Sequence, residues 1–218
     1  MKRYHTIAEL PDVLSVFPLS GALLLPRVEL PLNIFEDRYL QMFNTALSSH
    51  RLIGMIQPEP GEDQDRPALS RVGCAGRITS LTETDDNRML INLTGVCRFE
   101  VVSEKKVKTA WRQCKVTYDG FAGDLITDNQ ARSVNRDALV TAFRQYLEAN
   151  NMSANWDEVE KVSTENLVNT LSQMAPYPAL EKQALLEAPD LKSRADMLIA
   201  LTELALARQS NGNAKTLQ

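Results

Sequence analysis

Cysteine and histidine side chains are the first candidates for chemistry in this sequence. A zinc site needs several Cys or His ligands at short spacing, but His5 and His50 lie far apart, and neither is close to a cysteine in the sequence. Catalysis by Cys74, Cys97 or Cys114 would require a histidine beside the thiol in space. The sequence therefore predicts no metal site and no catalytic cysteine.

Motifs for nucleotide binding and for a serine nucleophile are also absent. No glycine precedes a lysine, so there is no P-loop, and neither Gly-x-Gly-x-x-Gly nor Gly-x-Ser-x-Gly occurs. The acidic residues Glu59, Glu62, Asp63 and Asp65 lack the ligand spacing and central glycine of a calcium loop, and are typical of a solvated loop. We therefore expect neither an enzyme nor a cofactor.

Three arginines could together bind an anion. Arg77, Arg88 and Arg98 lie on or at the ends of strand-like segments. The alternative is pairing across strands with acids such as Glu83 or Glu100. Because nothing specific for phosphate accompanies the arginines, pairing is the favoured interpretation.

Composition bounds the remaining possibilities. The 218 residues fit one large or two small domains, and the net charge of −4 argues against a phosphate backbone as the partner. Three cysteines without Cys-x-x-Cys spacing, and no apolar signal segment at the N-terminus, predict reduced thiols in a cytoplasmic protein. The run "ALLLP" is far shorter than the roughly 20 residues that span a bilayer, so no membrane segment is expected.

Strand patterns dominate the chain before residue 120. The run "GRITSLTETDDNRMLINLTG" predicts a β-hairpin around a polar turn. In "VCRFEVV", Cys97 and Phe99 alternate with Arg98 and Glu100, which predicts one buried face and one solvated face. The predicted strands are residues 15–19, 29–34, 52–57, 72–81, 89–102 and 111–118.

Helical spacing appears once among the strands and then throughout the second half. Residues 35–47 place Phe35, Tyr39 and Phe43 on one apolar face. Further helices are predicted around residues 139–147 and 167–174, from Pro178, and after Asp190 as N-cap. The chain is predicted to be α+β, with a β-rich domain at residues 1–118 and a helical bundle at 119–218 that ends in a frayed tail.

Several separated motifs resemble one family in the correct order. These are "FPLSGALLLPRVELPLNIFEDRYLQMF", "RLIGMIQP", "GCAGRITSLTETDDNRMLINLTGVCRFEV" and "LSQMAPYPALEKQALLEAPDLKSRADML". Together they resemble the N-terminal substrate-binding domain of Lon proteases. The resemblance implies a small, strongly curved antiparallel β pseudo-barrel of the PUA-like type, followed by a helical bundle. The family often has glycine where this chain has Arg27 after the proline of "LLLP", so the geometry of that turn is open.

The resemblance also implies a role. In full-length Lon this domain helps to recognise unfolded or tagged protein substrates, and ATPase and peptidase modules follow it. Because this sequence carries neither module's motif, we expect a free-standing, non-enzymatic module. Its expected partners are unfolded or apolar polypeptide segments, and a protease or chaperone with which it acts as an adaptor.

The proline-bounded apolar turn is the candidate binding surface. Residues 23–28 carry one charge, on Arg27, and exposed apolar patches often mark interaction sites. The predicted peptide-binding residues are Leu24, Leu25, Pro26 and Val28. The alternative function is an RNA-binding PUA-like module, against which the net negative charge argues.

Overall fold

The computed structural model describes residues 3–61, 66–85, 88–127 and 131–215, with side chains as far as Arg208. Three of the acidic residues considered for a calcium loop, Glu62, Asp63 and Asp65, lie outside the described residues. The chain forms two compact units. One consists of Met1–Thr127 with Gln173–Glu187, and the other of Asp128–Ser172 with Ala188–Gln218. We call them the sheet unit and the helical unit.

The sheet unit contains six strands and two α-helices. A short 3₁₀ helix, Ile7–Glu9, precedes the strands, and a second, Asp119–Leu125, follows them. Helix α1 (Asp37–Leu47) interrupts the strands. The strands are β1 (Val13–Pro18), β2 (Glu29–Ile34), β3 (Leu52–Pro58), β4 (Leu69–Glu83), β5 (Met89–Glu104) and β6 (Arg112–Thr117). Every predicted strand is present, and the predicted α+β class is confirmed.

The strands form one mixed sheet in the order β2-β5-β4-β3-β1-β6. Strand β6 pairs with β1 and also with the last part of β5, so the sheet curls back on itself. The pairing of β1 with β3 is parallel, with Val16 opposite Gly54, which differs from the predicted antiparallel sheet. Between them the chain makes β2 and α1, and such a long crossover is what allows two strands to run in the same direction.

The predicted hairpin of β4 and β5 is confirmed, with Val72 opposite Glu100 and Glu83 opposite Met89. Cys97 and Phe99 are fully buried, as the alternation predicted. Arg98 was expected on the solvated face, but only 4% of it is exposed. That prediction is wrong because the 3₁₀ helix Asp119–Leu125 covers this part of β5.

Helix α1 packs on the sheet through Tyr39, Met42, Phe43 and Ala46. The Phe17 ring meets the Tyr39 ring edge-on, with 4.4 Å between centroids. Phe35, predicted to belong to the core, is 63% exposed. It precedes the helix, which begins at Asp37, so the helical period does not apply to it.

Strand β2 stands at one end of the strand order and contains Pro31. The Val28 carbonyl accepts a hydrogen bond from the Gly95 amide at 2.9 Å. Because backbone polar groups alternate in direction along an antiparallel strand, residues 30, 32 and 34 bond to β5, and Pro31 faces the outer edge. The Glu29 carbonyl, which shares that direction, accepts a hydrogen bond from Gln173 Nε2.

Helix α5 (Ala179–Glu187) belongs to the sheet unit. Gln57 Nε2 donates to the Ala179 carbonyl, and Gln183 Nε2 donates to the Val72 carbonyl, each at 3.1 Å. These bonds and the contacts of residues 119–127 with β5 explain why the compact units differ from the predicted division between residues 118 and 119.

The helical unit contains α2 (Arg136–Ala149), α3 (Trp156–Lys161), α6 (Leu191–Lys215) and α4 (Thr164–Met174) except for its last two residues, which belong to the sheet unit. The Asp190 carboxylate accepts a hydrogen bond from the Ser193 amide at 2.7 Å, so the predicted N-cap of α6 is confirmed. Helix α6 runs to Lys215, and the predicted frayed tail is helical in its described part. Among the described residues, no helix combines the length and apolar character that crossing a membrane requires.

Candidate functional site

The predicted peptide-binding residues are inside the sheet unit. Leu24, Leu25, Pro26 and Val28 are all buried. The expectation that this turn presents an apolar surface is therefore wrong, and a role for these residues in contacting polypeptide stays a prediction without an accessible surface in this structure.

Two glycines explain how the turn becomes buried. A Cβ added at Gly76 would lie 2.6 Å from Leu24 Cδ2, and one added at Gly95 would lie 2.0 Å from the Leu25 carbonyl oxygen. Both distances are too short for any side chain on the glycine. Because Gly76 on β4 and Gly95 on β5 have no Cβ, residues 23–28 can lie directly on the sheet.

Arg27 occupies the left-handed backbone region, with φ of 67°. This conformation favours glycine, which is the residue that the family often has after this proline. The geometry left open by the sequence is therefore glycine-like. The Arg27 side chain also donates from Nη1 to the Asp124 carbonyl at 2.6 Å, which ties the turn to the second 3₁₀ helix.

The buried Arg98 is held by a fixed set of partners. Its Nε and Nη2 donate to the two carboxylate oxygens of Asp124 at 2.9 and 2.8 Å, and its Nη1 donates to the Leu186 carbonyl at 2.9 Å. The guanidinium lies 4.3 Å from the centroid of the Phe121 ring. We call Arg98, Asp124, Phe121 and the Leu186 carbonyl the Arg98 cluster. It joins β5, the 3₁₀ helix Asp119–Leu125 and α5.

The three arginines considered for an anion site have separate partners. Arg77 donates to the Tyr4 hydroxyl at 2.9 Å and to the His50 carbonyl at 3.2 Å. Arg88 lies over the Phe35 ring, and Arg98 pairs with Asp124. Pairing with Glu83, Glu100 or other acids was the favoured interpretation. Arg98 does pair with an acid, which is Asp124, and Glu100 pairs with Arg71.

The three cysteines are buried, and none of them is in a disulfide. Burial raises the pKa of Cys97 above its usual range, and burial likewise raises the pKa of Cys114 to about 11. Because the thiolate is the reactive form, neither thiol is a nucleophile near neutral pH. Among the described residues, no group of three or more His, Cys, Asp or Glu side chains could hold a metal ion.

An open groove lies where α1 meets the ends of β1, β3 and β6. Its cavity is about 220 Å³. Tyr39 and Trp111 line it, and the Trp111 indole donates to Ser15 Oγ at 3.1 Å, which fixes the ring. Three prolines complete the apolar wall: Pro18, Pro58 and Pro67. We call this the Tyr39–Trp111 groove.

Arginines form the charged part of the groove wall. Arg38 lies 4.6 Å above the Tyr39 ring and pairs with Glu36 at 2.7 Å. Arg112 pairs with Glu104 at 2.6 Å and donates to the Pro67 carbonyl, also at 2.6 Å. Rigid aromatic and proline surfaces beside arginine are the features that mark interaction sites on proteins.

A second cavity shares Pro58 with the groove. It measures about 370 Å³ and lies between α5 and the ends of β3 and β4. Pro60, Ala179 and Leu180 contribute apolar surface, and Leu180 is 70% exposed. Because Pro58 lines both cavities, the two are neighbours on the sheet unit.

A third cavity lies within the helical unit, between α2 and α3, and measures about 520 Å³. The Arg144 guanidinium lies 4.5 Å above the Trp156 ring there. Both signs of charge line the cavity, including Arg136, Asp137 and Glu160. Among the described residues, the lining contains two arginines and three carboxylates in all.

Sequence comparison with protein families identifies the family of this chain. The family model described as the ATP-dependent protease La (LON) substrate-binding domain matches residues 13–203. The chain belongs to the Lon substrate-binding domain family. The resemblance predicted from the sequence motifs is therefore confirmed.

Curated relatives are whole Lon proteases. The chain is 24% identical over 212 residues to Lon protease of Desulfosudis oleivorans, which covers 88% of this chain and 24% of the relative. It is 26% identical over 217 residues to Lon protease of Chloroherpeton thalassium, covering 93% of this chain and 25% of the relative. The chain spans about a quarter of the length of these proteins.

Solved structures of Lon N-terminal domains share the fold. The Lon N-terminal domain protein from Xanthomonas campestris has a TM-score of 0.61 at 20% identity, covering 86% of this chain and 97% of that one. The N-terminal domain of Mycobacterium avium complex Lon protease has a TM-score of 0.62 at 17% identity, covering 88% and 98%. The predicted Lon N-terminal fold is thus confirmed.

Sequence reasoning did not find the groove of this Lon-type domain. Local patterns place Tyr39 on a core-facing helix, and they place Pro18 and Trp111 on predicted strands. Each assignment was local, whereas the groove depends on which strand ends lie side by side. Two prolines closely flanking an acidic loop, Pro58 and Pro67, were the only local signal of a rigid apolar rim.

Proposed function

We propose that this chain is a non-enzymatic substrate-recognition module that binds extended or unfolded polypeptide segments through apolar contacts. Membership of the Lon substrate-binding domain family supports polypeptide recognition in the context of a protease. The finer role is that of a cytoplasmic adaptor that presents polypeptide to a protease or chaperone.

The observation that carries the proposal is the Tyr39–Trp111 groove. Aromatic rings held by packing or hydrogen bonding give large contact area at little cost in conformational entropy. The Tyr39 ring is packed against Phe17, and Trp111 is bonded to Ser15. Side chains of a bound segment would enter between the two rings. The binding surface that we propose is therefore the groove rather than the buried residues 23–28.

The second cavity extends the proposed surface beyond the groove. An extended strand rises roughly 3.3 Å per residue, so a segment of several residues is needed to cross Pro58 and reach Leu180. A surface of this kind is suited to an extended chain more than to a folded epitope. Weak binding with little sequence preference is the expected behaviour, because few side chains are held in enclosed pockets.

An amide NMR titration of the full chain with an unfolded apolar peptide tests the proposal. In the wild type we expect shift changes at groove residues, including the Trp111 indole. Trp111→Ala should weaken binding, because it removes one wall of the groove. Trp156→Ala is the matched control, since it removes the other tryptophan of the chain, which lies in the helical unit.

Three results of the titration are informative. Shift changes in the groove that disappear in Trp111→Ala, while the rest of the spectrum is retained, support the proposal. Shift changes elsewhere that persist in Trp111→Ala contradict the groove as the site. No shift changes at millimolar peptide contradict polypeptide binding, and a parallel titration with single-stranded RNA then tests the alternative function.

A further inference from the structure

The charges around the Tyr39–Trp111 groove are unequal. Arg38 and Arg112 line the groove, whereas their carboxylate partners Glu36 and Glu104 are not among its lining residues. Within the part of the chain that the structure describes, no acidic residue lines the groove. The described part of the groove wall is therefore positive, in a chain whose net charge is −4.

The two groove arginines differ in their freedom. Arg112 is held by Glu104 through Nε and Nη2 and by the Pro67 carbonyl through Nη1, and 17% of its side chain is exposed. Arg38 has 47% of its side chain exposed, and it pairs with a carboxylate only two residues away that is also exposed. Exposed ion pairs of this kind contribute little and exchange readily. Arg38 can therefore change partner.

We propose that Arg38 binds the carboxylate of an Asp or Glu within a bound polypeptide, while a neighbouring apolar side chain of that polypeptide enters between Tyr39 and Trp111. The inference rests on the proposed polypeptide-binding function and specifies its substrate class. An arginine and a carboxylate make a charge-assisted pair with two parallel hydrogen bonds. The ligand is thus an acidic–apolar segment rather than an apolar one alone.

The dimensions favour a segment of polypeptide as the occupant. A cavity of about 220 Å³ is smaller than the roughly 300–1,000 Å³ of a site for a small organic ligand, and it suits one side chain. The second cavity is its neighbour, because Pro58 lines both. A chain can therefore pass along the surface, with the acidic residue at an internal position.

Tryptophan fluorescence provides a direct readout of the groove. The chain has two tryptophans, so in a Trp156→Phe background Trp111 alone reports binding. Three peptides blocked at both ends are compared, identical except for Asp, Asn or Lys beside a leucine. At low salt we expect the Asp peptide to bind about two- to fivefold more tightly than the Asn peptide, because an exposed ion pair contributes little, and the Lys peptide to bind most weakly. Salt should reduce these ratios, because exposed charges are screened.

Three variants assign the preference to Arg38. Arg38→Gln should bring the affinities of the Asp and Asn peptides to the same value, and the ratio of the two affinities is the readout. Glu36→Gln should tighten binding of the Asp peptide, because the competing carboxylate is lost. Lys161→Gln is the control, since Lys161 is also an exposed, paired cation but lies in the helical unit.

The outcomes separate this inference from the proposed function. Equal binding of all three peptides overturns the acidic preference and leaves polypeptide binding standing. An Asp preference that survives Arg38→Gln, or that is lost in Lys161→Gln, overturns the role of Arg38. Binding that requires a free C-terminal carboxylate overturns the internal position. Binding of none of the peptides removes the proposed function itself.

Discussion

Two arginines of the sheet unit lie over aromatic rings and have opposite roles. Arg98 lies 4.3 Å from the Phe121 centroid and Arg38 lies 4.6 Å from the Tyr39 centroid, so the ring contacts are nearly the same. The surroundings differ. Arg98 is 4% exposed and bonded to both oxygens of Asp124, whereas the side chain of Arg38 is 47% exposed and bonded to Glu36.

Burial determines what each arginine can do. A buried charge must keep its partners, because losing one leaves the other uncompensated in a medium of low dielectric constant. Arg98 therefore fixes three elements of the fold and cannot bind a ligand. An exposed charge loses little when its partner changes, so Arg38 is available for recognition. Ring stacking alone does not distinguish a structural arginine from a binding one.

The largest expected effect comes from breaking the Arg98 cluster. Asp124→Ala leaves the Arg98 guanidinium buried without its carboxylate, and we expect the free energy of unfolding to fall by about 3–5 kcal/mol. Urea denaturation of the wild type and variant measures the difference. Replacing both residues, as Arg98→Met with Asp124→Leu, should cost less than Asp124→Ala alone. An Asp124→Ala loss below about 1 kcal/mol would show that the cluster is not structural.

The same contrast between buried and exposed positions applies to two phenylalanines, one within α1 and one just before it. Phe43 is fully buried, and Phe43→Ala should destabilise the fold by about 3–5 kcal/mol. Phe35→Ala is the matched control, because Phe35 is mostly exposed and a surface substitution usually changes stability by less than about 0.5 kcal/mol. Thermal unfolding of both variants measures this. Equal losses would mean that Phe35 is covered in solution.

The Glu104 side chain is partly exposed, so it lies between the buried and the exposed charges. Its contribution to the free energy of unfolding should depend on pH. Hydrogen bonds from Arg112 hold the pKa of Glu104 below its usual value, and those from Arg66 act in the same direction. A lowered pKa in the folded state contributes stability above the usual pKa, which is lost as pH falls through the lowered value. The free energy of unfolding of Glu104→Gln should be lower than that of the wild type by at most about 1 kcal/mol at pH 7.

That difference should shrink steadily between pH 5 and pH 3 in urea titrations of the two proteins. Glu100→Gln serves as the control, because Glu100 is paired with the largely exposed Arg71. A difference between wild type and Glu104→Gln that stays constant down to pH 3 would contradict the ion-pair explanation.

The smallest expected effect on stability comes from replacing Arg38. Arg38→Gln should change the free energy of unfolding by less than about 0.5 kcal/mol, since the pair with Glu36 is exposed. Urea denaturation checks this on the protein used for the peptide experiments. A loss as large as that of Asp124→Ala would place Arg38 among the structural residues and would remove the distinction between the two arginines.

Local patterns in the sequence were enough for the strands, the hairpin of β4 and β5, and the N-cap at Asp190, because each depends on neighbouring residues. Patterns failed where a distant segment decides the outcome. Alternation placed Arg98 in solvent because Asp124 lies 26 residues further along the chain. An apolar turn suggested a surface at residues 23–28 because nothing near them in sequence shows that Gly76 and Gly95 open the sheet to receive it.

The groove could not be predicted for the same reason. Tyr39 and Trp111 are more than 70 residues apart in the sequence, and they meet only because β6 pairs with β1 while α1 packs beneath Phe17. Membership of the family predicts the fold and the broad role. Locating the groove requires knowing which strands pair and in what register.

Pro31 limits strand pairing at the outer edge of the sheet unit. Proline has no amide hydrogen, and at the outer edge of β2 it interrupts the row of donors that a further strand would need. Gln173 already occupies the neighbouring Glu29 carbonyl. The outer edge of β2 is therefore a poor template for a further strand, and cross-β growth is disfavoured at this edge.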